Sequence, residues 1–285
     1  MNYQSPFVTL TRPLRVLVVG AGGTGSSLLG GLALLAVALR SLGGLALEVT
    51  VMDDDVVTAS NIGRQAFVPA DIGLPKCEVL VNRINLSFGL EWQAKVERLD
   101  IGTNLRADVL VGCVDTRRAR QAIAAHWAAN AAVGHQCLWV DCGNTQSAGQ
   151  VVLGAMDVVE LKPARSEPGK QWEAAVVEPR ILLPSVAQLF PEAVNPQLDD
   201  ADTGPSCSLP EALAKQDLFT NRHMADAALN LLWQLLRHGG LDVHGAFINL
   251  QNMRSNPLPV NPVFWERLGW VQKQPKKKRI VAKKR

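Results

Sequence analysis

Gly20, Gly22 and Gly25 stand at the spacing G-x-G-x-x-G in "VVGAGGTG", with Gly23 between the last two, and Asp53 closes the apolar run "LEVTVMD". In a dinucleotide fold the first glycine permits a tight turn, the second lets backbone approach a phosphate and the third lets helix pack on strand. The carboxylate then takes the ribose hydroxyls. The same parts serve adenosine phosphates equally well, so the residues that follow must decide. Asn61, Arg64, Gln65 and Lys76 lie in "DDDVVTASNIGRQAFVPADIGLPK", and Asp115 ends "DVLVGCVD". Arginine offers phosphate oxygens a planar fork and lysine a compact charge. A carboxylate on a neighbouring strand suits magnesium bridging phosphates. With Asp53 and Asp55, this set describes attack at the α-phosphate of a triphosphate, with pyrophosphate leaving, rather than hydride transfer. Singly, each residue has a plainer reading: Arg64 and Lys76 as solvated cations, Asp115 as the cap of a helix beginning "TRRARQAIAAH", Asp54 and Asp55 as like charges on a turn. Jointly that needs four independent accidents on one rim.

A sheet must carry these residues. The run "LRVLVV" (14–19) reads as a central parallel strand covered on both faces, and 24–40 as its crossover helix. "LEVTVMDDD" is a second strand, a charged helix occupies 76–86, and "KVERL" (95–99), "DVLVGCVD" (108–115) and "LWVDCGN" (138–144) are three more strands. Strand and helix alternate, so the expected class is α/β with a Rossmann-like, doubly wound, mostly parallel sheet. "GQVVLGAMD" follows after a short turn as an antiparallel addition. From Leu161 to Ser206 the chain carries seven prolines and no sustained period, the mark of a proline-rich crossover loop. Helical patterning returns at Ser208 and is strongest in "NRHMADAALNLLWQLLRHGG", which closes on a Gly-Gly stop; "AFINLQN" is a final strand. The expected division is a nucleotide-binding core at 14–160, the crossover loop at 161–207, C-terminal helices and strand at 208–270 completing the same domain, and a basic tail at 271–285.

Of the 285 residues, 47% are apolar and 19% charged, enough for one sizeable core. The apolar run from Leu28 to Leu39 contains two glycines and is shorter than the roughly 20 residues that cross a bilayer, and residues 1–13 lack the order of a signal peptide. A cytoplasmic location without membrane contact is expected. The net charge of +3 conceals a tail, "KQPKKKRIVAKKR", that holds eight positive and no negative side chains, so the rest of the chain is net negative. Such a run is most simply a solvated end; nucleic acid or an acidic protein is its sharper use. The five cysteines form no C-x-x-C pair, so no structural zinc is expected.

The succession G-x-G-G-x-G, "DDD…SNIGRQ", "DIGLPK" and "GCVD" resembles the ThiF, MoeB and HesA superfamily, the adenylating core of ubiquitin-activating-type enzymes. Further on, "PSCSLPEALAKQDLF" and "AFINLQNMRSNPLPV" resemble the ThiF-family proteins of bacterial PRTRC gene systems. The resemblance implies ATP and Mg2+ as cofactors, with Asp53 matching the ribose-binding acid, Asn61 and Arg64 a polar pair, Lys76 the phosphate lysine and Asp115 the magnesium-associated aspartate. It also implies a ubiquitin-like protein as substrate, a conjugating-type protein as companion and a homodimer. Thr116 departs from the asparagine usual after that aspartate. Arg12 and Arg15 are the loose candidates for the arginine that some dimeric relatives contribute across their interface, a role left unassigned.

Superfamily members that pass the adenylate to a thiol keep a cysteine in the crossover loop, and Cys207 is placed for it. Ser208 and Glu211 form a capping-box pattern, which would set Cys207 beside a helix N-terminus that favours a thiolate. Cys113, Cys137 and Cys142 read as packed; Cys77 adjoins Lys76, a cation able to lower its pKa, but "PKCE" leaves it little room for a second task beside the phosphates. The expected function is ATP-dependent adenylation of the C-terminal carboxylate of a ubiquitin-like protein, followed by a thioester on Cys207. The alternatives are adenylation alone, for sulfur transfer or a small-molecule acid, and a non-catalytic nucleotide-binding module in a plasmid- or DNA-associated assembly. A nicotinamide dehydrogenase comes third, because no catalytic His, Tyr or Lys is suitably placed.

Overall fold

The computed structural model describes residues 1–100, 102–132, 136–157, 180–199 and 208–271. Cys207, much of the expected crossover loop and the tail from residue 272 lie outside the described residues. In chain order the elements are β1 (Tyr3–Gln4), β2 (Leu14–Val19), α1 (Gly23–Ser41), β3 (Leu47–Met52), α2 (Lys76–Phe88), β4 (Gln93–Lys95), β5 (Val109–Gly112), α3 (Arg117–Ala132), β6 (Leu138–Asn144), β7 (Ala148–Asp157), β8 (Arg180–Leu183), α4 (Val186–Leu189), α5 (Leu209–Lys215), α6 (Thr220–His238), β9 (Gly240–Leu241), β10 (Val243–Asn249), β11 (Arg254–Pro259) and α7 (Pro262–Arg267).

Val16, Leu17, Val18 and Val19 of β2 are buried, as a strand covered on both faces requires, and β2 pairs in parallel with β3 on one side and β5 on the other. Five strands run parallel in the order β6-β5-β2-β3-β4, and β7, β10 and β11 extend the sheet antiparallel beyond β6. The chain reverses direction across the sheet between β2 and β5, which is where open α/β sheets bind ligands at the carboxyl ends of their strands. The expected α/β class with a mostly parallel sheet and antiparallel additions is what forms.

By length and composition α1 is the one helix among the described residues apolar enough to cross a membrane. Here it is a core helix: Leu28, Leu29, Leu32, Ala33 and Leu39 are buried, and α6 packs along it. Helix α6 stops at Gly239, whose φ of +77° is the left-handed cap expected from the Gly-Gly pair.

Three details differ from expectation. The strand expected at 95–99 is β4, which ends where that stretch begins. Residues 180–199, inside the stretch read as irregular, form β8, paired with β7, and α4 followed by two 3-10 turns. Elements this short, punctuated by prolines, give no period to detect. The single final strand is a hairpin of β10 and β11, followed by α7; β11 reads "RSNPLP", and its prolines are tolerated because it is the sheet's edge. Helix α7 is fastened to the sheet by His244, which is fully buried: its Nδ1 donates to the Leu153 carbonyl at 2.8 Å and its Nε2 accepts from the Trp265 indole at 2.9 Å.

Candidate functional site

Strand β2 runs out into the glycine loop. Gly20 has φ of +96°, and a Cβ there would lie 2.5 Å from the Cys113 carbonyl oxygen, so only glycine lets the loop lie against the end of β5. A Cβ on Gly25 would fall on the carbonyl of Gly20, which is the close packing of helix on turn expected of the third glycine. Helix α1 begins at Gly23 with no side-chain cap and no acidic residue in its first turn, so its first N–H groups and its dipole are available to an anion. Asp53 fixes the turn from the next strand: its two oxygens accept from the Ala21 N–H at 2.6 Å and the Asp55 N–H at 2.9 Å. Burial pushes the Asp53 carboxyl up, against those two N–H groups and the charge of Lys76.

The connection from β3 to α2 carries the cations. Lys76, at the first position of α2, is only 8% exposed in its side chain, and its Nζ lies 2.7 Å from Asp55 Oδ2. The Lys76 N–H also donates to the Asp55 carbonyl at 3.0 Å. Asp54 faces Arg98 at 2.6 Å, so the two neighbouring carboxylates are each neutralised by a different cation. Asn61 closes a 3-10 turn over Ala59–Asn61: its Oδ1 accepts from the Thr58 N–H and hydroxyl, which leaves its amide NH2 as the part able to meet a ligand. Arg64 is half-buried, its Nε donates to the Ser60 carbonyl at 3.1 Å, and its fork is left free of that bond. Burial lowers the Arg64 pKa and the charge of Asp115 opposes this, so Arg64 and Asp115 feel one another across the site.

Asp115 follows β5 and is exposed. It does not cap α3. Thr116 Oγ1 accepts from the Ala119 N–H at 3.2 Å, and Asp199 accepts from the N–H groups of Arg117 and Arg118 at 2.8 and 3.0 Å. Thr116, the departure from the superfamily pattern, therefore has a local task, and the Asp115 carboxylate is left to the site. Among the described residues no cluster of three or more His, Cys, Asp or Glu comes together that could hold a metal. A single exposed carboxylate does fit magnesium, which takes one or two protein carboxylates and completes its shell from water and phosphate.

Gly20, Gly22, Gly23, Gly25, Asp53, Asp55, Asn61, Arg64, Lys76 and Asp115 thus gather around the carboxyl ends of β2, β3 and β5. Cys77, read as having little room for a second task, is fully buried; its thiol donates to the Asp53 carbonyl, and burial followed by the Asp53 charge pushes its pKa up rather than down. Cys137 and Cys142 are buried too, with raised pKa values. Arg12 and Arg15 both bind Asp108, at 2.6 and 3.3 Å, at the opposite end of the sheet. A cavity of about 660 Å³ lies at that far end, lined by Leu10, Thr11, Arg12, Leu45, Leu236 and Arg237, remote from every residue of the loop.

Two features escaped the sequence. Asn221, in the first turn of α6, occupies the space where a Cβ on Gly23 would stand, and its Oδ1 accepts from Thr24 Oγ1 at 2.9 Å and Asn144 Nδ2 at 2.8 Å. This amide locks α1, β6 and α6 together behind the glycine loop. Arg120 and Asp141 form a fully enclosed pair, Nε to Oδ1 at 2.8 Å. No spacing rule links residues so far apart in sequence.

Comparison with known proteins agrees with this geometry. Over 68 residues the chain is 38% identical to the adenylyltransferase and sulfurtransferase UBA4 of Yarrowia lipolytica (strain CLIB 122 / E 150), a match covering 24% of this chain and 15% of that protein. Among solved structures, E. coli MccB with ATP superposes with a TM-score of 0.54 at 14% identity, covering 87% of this chain and 64% of MccB. PaaA gives 0.54 at 15% identity, covering 87% and 73%. The chain therefore spans a small part of UBA4 and just under two thirds of MccB, and at these identities the structures show the fold alone. The ThiF family, however, matches residues 8–215, well over half of the sequence, and this protein belongs to the ThiF family.

Proposed function

We propose that this protein adenylates a carboxylate at the expense of ATP, and that the carboxylate is the C-terminus of a ubiquitin-like protein. The observation that carries the reading is Lys76, a lysine enclosed at the start of α2 and held by Asp55, facing the same strand ends as the half-buried Arg64 and the uncapped N-terminus of α1. Two cations at the strand ends suit a triphosphate whose leaving group gains charge. A carboxylate oxygen attacking the α-phosphorus forms an acyl phosphate bond while the bond to the bridging oxygen of pyrophosphate breaks. Negative charge grows on the leaving group, and preorganised cations stabilise it without having to reorient. Arg64 brings the fork and Lys76 the point charge. Asp53 holds the ribose. Magnesium, where Asp115 holds it, supplies further neutralisation of the phosphates. The UBA4 likeness and the MccB structures solved with ATP and with MccA support this reading.

The finer proposal is transfer of the acyl group to Cys207 as a thioester. Its support is the neighbouring helix: Ser208 Oγ accepts from the Glu211 N–H at 3.4 Å to cap α5, and Leu209 lies against Gly63, beside Arg64. ATP–pyrophosphate exchange, run with a ubiquitin-like protein bearing a free C-terminus, tests the main reading. Arg64→Ala and Lys76→Ala should each lower exchange by about 10²-fold or more, the scale of losing one preorganised charge contact. Exchange at the wild-type rate in both variants would remove these cations from the reaction.

A further inference from the structure

Asp141 lies on β6 directly opposite Gly112 of β5. A Cβ on Gly112 would stand 3.3 Å from Trp139 Nε1 and 3.5 Å from Asp141 Oδ1, so the glycine makes room for a polar pocket between the sheet and Ile123 of α3. Arg120 enters from the first turns of α3. Its Nε meets Asp141 Oδ1 at 2.8 Å, and its NH2 group donates to the Val114 carbonyl at 2.9 Å. The Asp141 side chain is fully buried and that of Arg120 is 8% exposed.

Stability does not account for such a pair. Taking both charges out of water costs about as much as their attraction returns, and apolar residues of similar volume often serve as well or better. Asp141 Oδ2 is moreover buried with no hydrogen-bond partner, a further cost. What the pair does achieve is geometric. The guanidinium joins three points: helix α3, strand β6 and the carbonyl of the residue preceding Asp115. A peptide unit is planar, so holding the Val114 oxygen fixes the nitrogen and Cα of Asp115 as well. Thr116 and Asp199 hold the other side of the same turn. Among the described residues no hydrogen bond to the Asp115 carboxylate steadies it, so its placement depends on this backbone.

We propose that Arg120 and Asp141 are positioning residues that set the Val114–Asp115 turn so that the Asp115 carboxylate meets the magnesium of a bound nucleoside triphosphate. This rests on the nucleotide reading above. It predicts a defect in metal coupling, because residues that orient a ligating carboxylate typically change metal affinity 10- to 100-fold when lost.

The test is calorimetric titration of the full chain with ATP, in EDTA and across a series of MgCl2 concentrations. Asp141→Asn and Arg120→Lys should raise the magnesium concentration that half-restores tight ATP binding about tenfold or more, while affinity in EDTA stays within about twofold. Arg120→Met combined with Asp141→Leu removes both buried charges at once and so keeps the fold if a single variant does not. It should show the same magnesium defect. A magnesium curve that stays in place in the folded variants, or affinity that falls equally with and without magnesium, overturns the proposal and leaves the pair a brace. A wild type that binds ATP without regard to magnesium overturns it as well. A wild type that binds no ATP at all strikes the nucleotide reading itself, and the two failures are thereby distinguished.

Discussion

Replacing His244 by glutamine isolates a titration built into the core. The imidazole is enclosed between β10, β7 and α7, donating from Nδ1 to the Leu153 carbonyl and accepting at Nε2 from the Trp265 indole, which fixes the neutral form. Burial pushes its pKa from 6.5 down to about 4. Protonation in the folded state would put an N–H against the indole N–H, so the proton binds the unfolded chain first. The stability that the neutral ring contributes is complete above pH 6.5, is lost progressively as pH falls through the interval, and is gone below 4. At 1.36 kcal/mol for each pKa unit, the difference is worth about 3 kcal/mol at pH 4, or roughly 6 °C of melting temperature for a chain this size. Glutamine reproduces the donor and the acceptor but does not titrate. Thermal unfolding followed by circular dichroism at steps from pH 7 to pH 4 should show the wild-type advantage over His244→Gln shrinking by about that amount. Taking the difference between the two proteins removes the contribution of the carboxylates that both share. A gap that stays flat across the interval refutes the assignment of His244 as a buried neutral ring.

Gly25→Ala should leave the sheet assembled but weaken ATP binding at least tenfold, because its Cβ falls on the Gly20 carbonyl and the loop must shift; titration with ATP reads this out, and unchanged affinity would show that the loop does not contact nucleotide. Cys207→Ala should retain ATP–pyrophosphate exchange yet lose any thiol-sensitive adduct with a ubiquitin-like protein, and Cys207→Ser should give an oxyester that reducing agents do not release. A reducible adduct in Cys207→Ala would move the search to other thiols, with Cys113, which is half-exposed, ahead of the buried Cys77.

What could be read from the sequence was what local periodicity and spacing encode. The run "LRVLVV" and the stretch "LWVDCGN" form strands with the limits expected, because a parallel strand covered on both faces is largely apolar and turn residues bound it. The glycine spacing marked the loop, and the cations after β3 fall at the strand ends beside it, where the phosphate role is proposed. The misses share a cause. β8, β11 and α4 are short, and proline interrupts or borders them, so their formation is decided by the neighbour they pair with rather than by their own pattern. Cys77 shows that adjacency in sequence is not electrostatic proximity. At the start of α2 the Lys76 side chain turns to Asp55 while the thiol turns inward to the Asp53 carbonyl.

The same distinction separates the residues proposed to contact a ligand from those proposed to aim them. Lys76, Arg64 and Asp115 announce themselves as charges near a glycine loop. Their partners are ordinary in sequence: Asp55 and Ser60 are turn residues, and Arg120 is one arginine among several at the start of α3. Yet an electrostatic site works only if its charges do not reorganise during the reaction. In this chain each cation is already restrained by a group of the protein, Lys76 by the Asp55 carboxylate and backbone, Arg64 by the Ser60 carbonyl. Ligand-contacting residues are chosen by the chemistry of the ligand and so fall into recognisable types. Restraining residues are chosen by where the fold brings them, so they become visible only once β5, β6 and α3 are seen together.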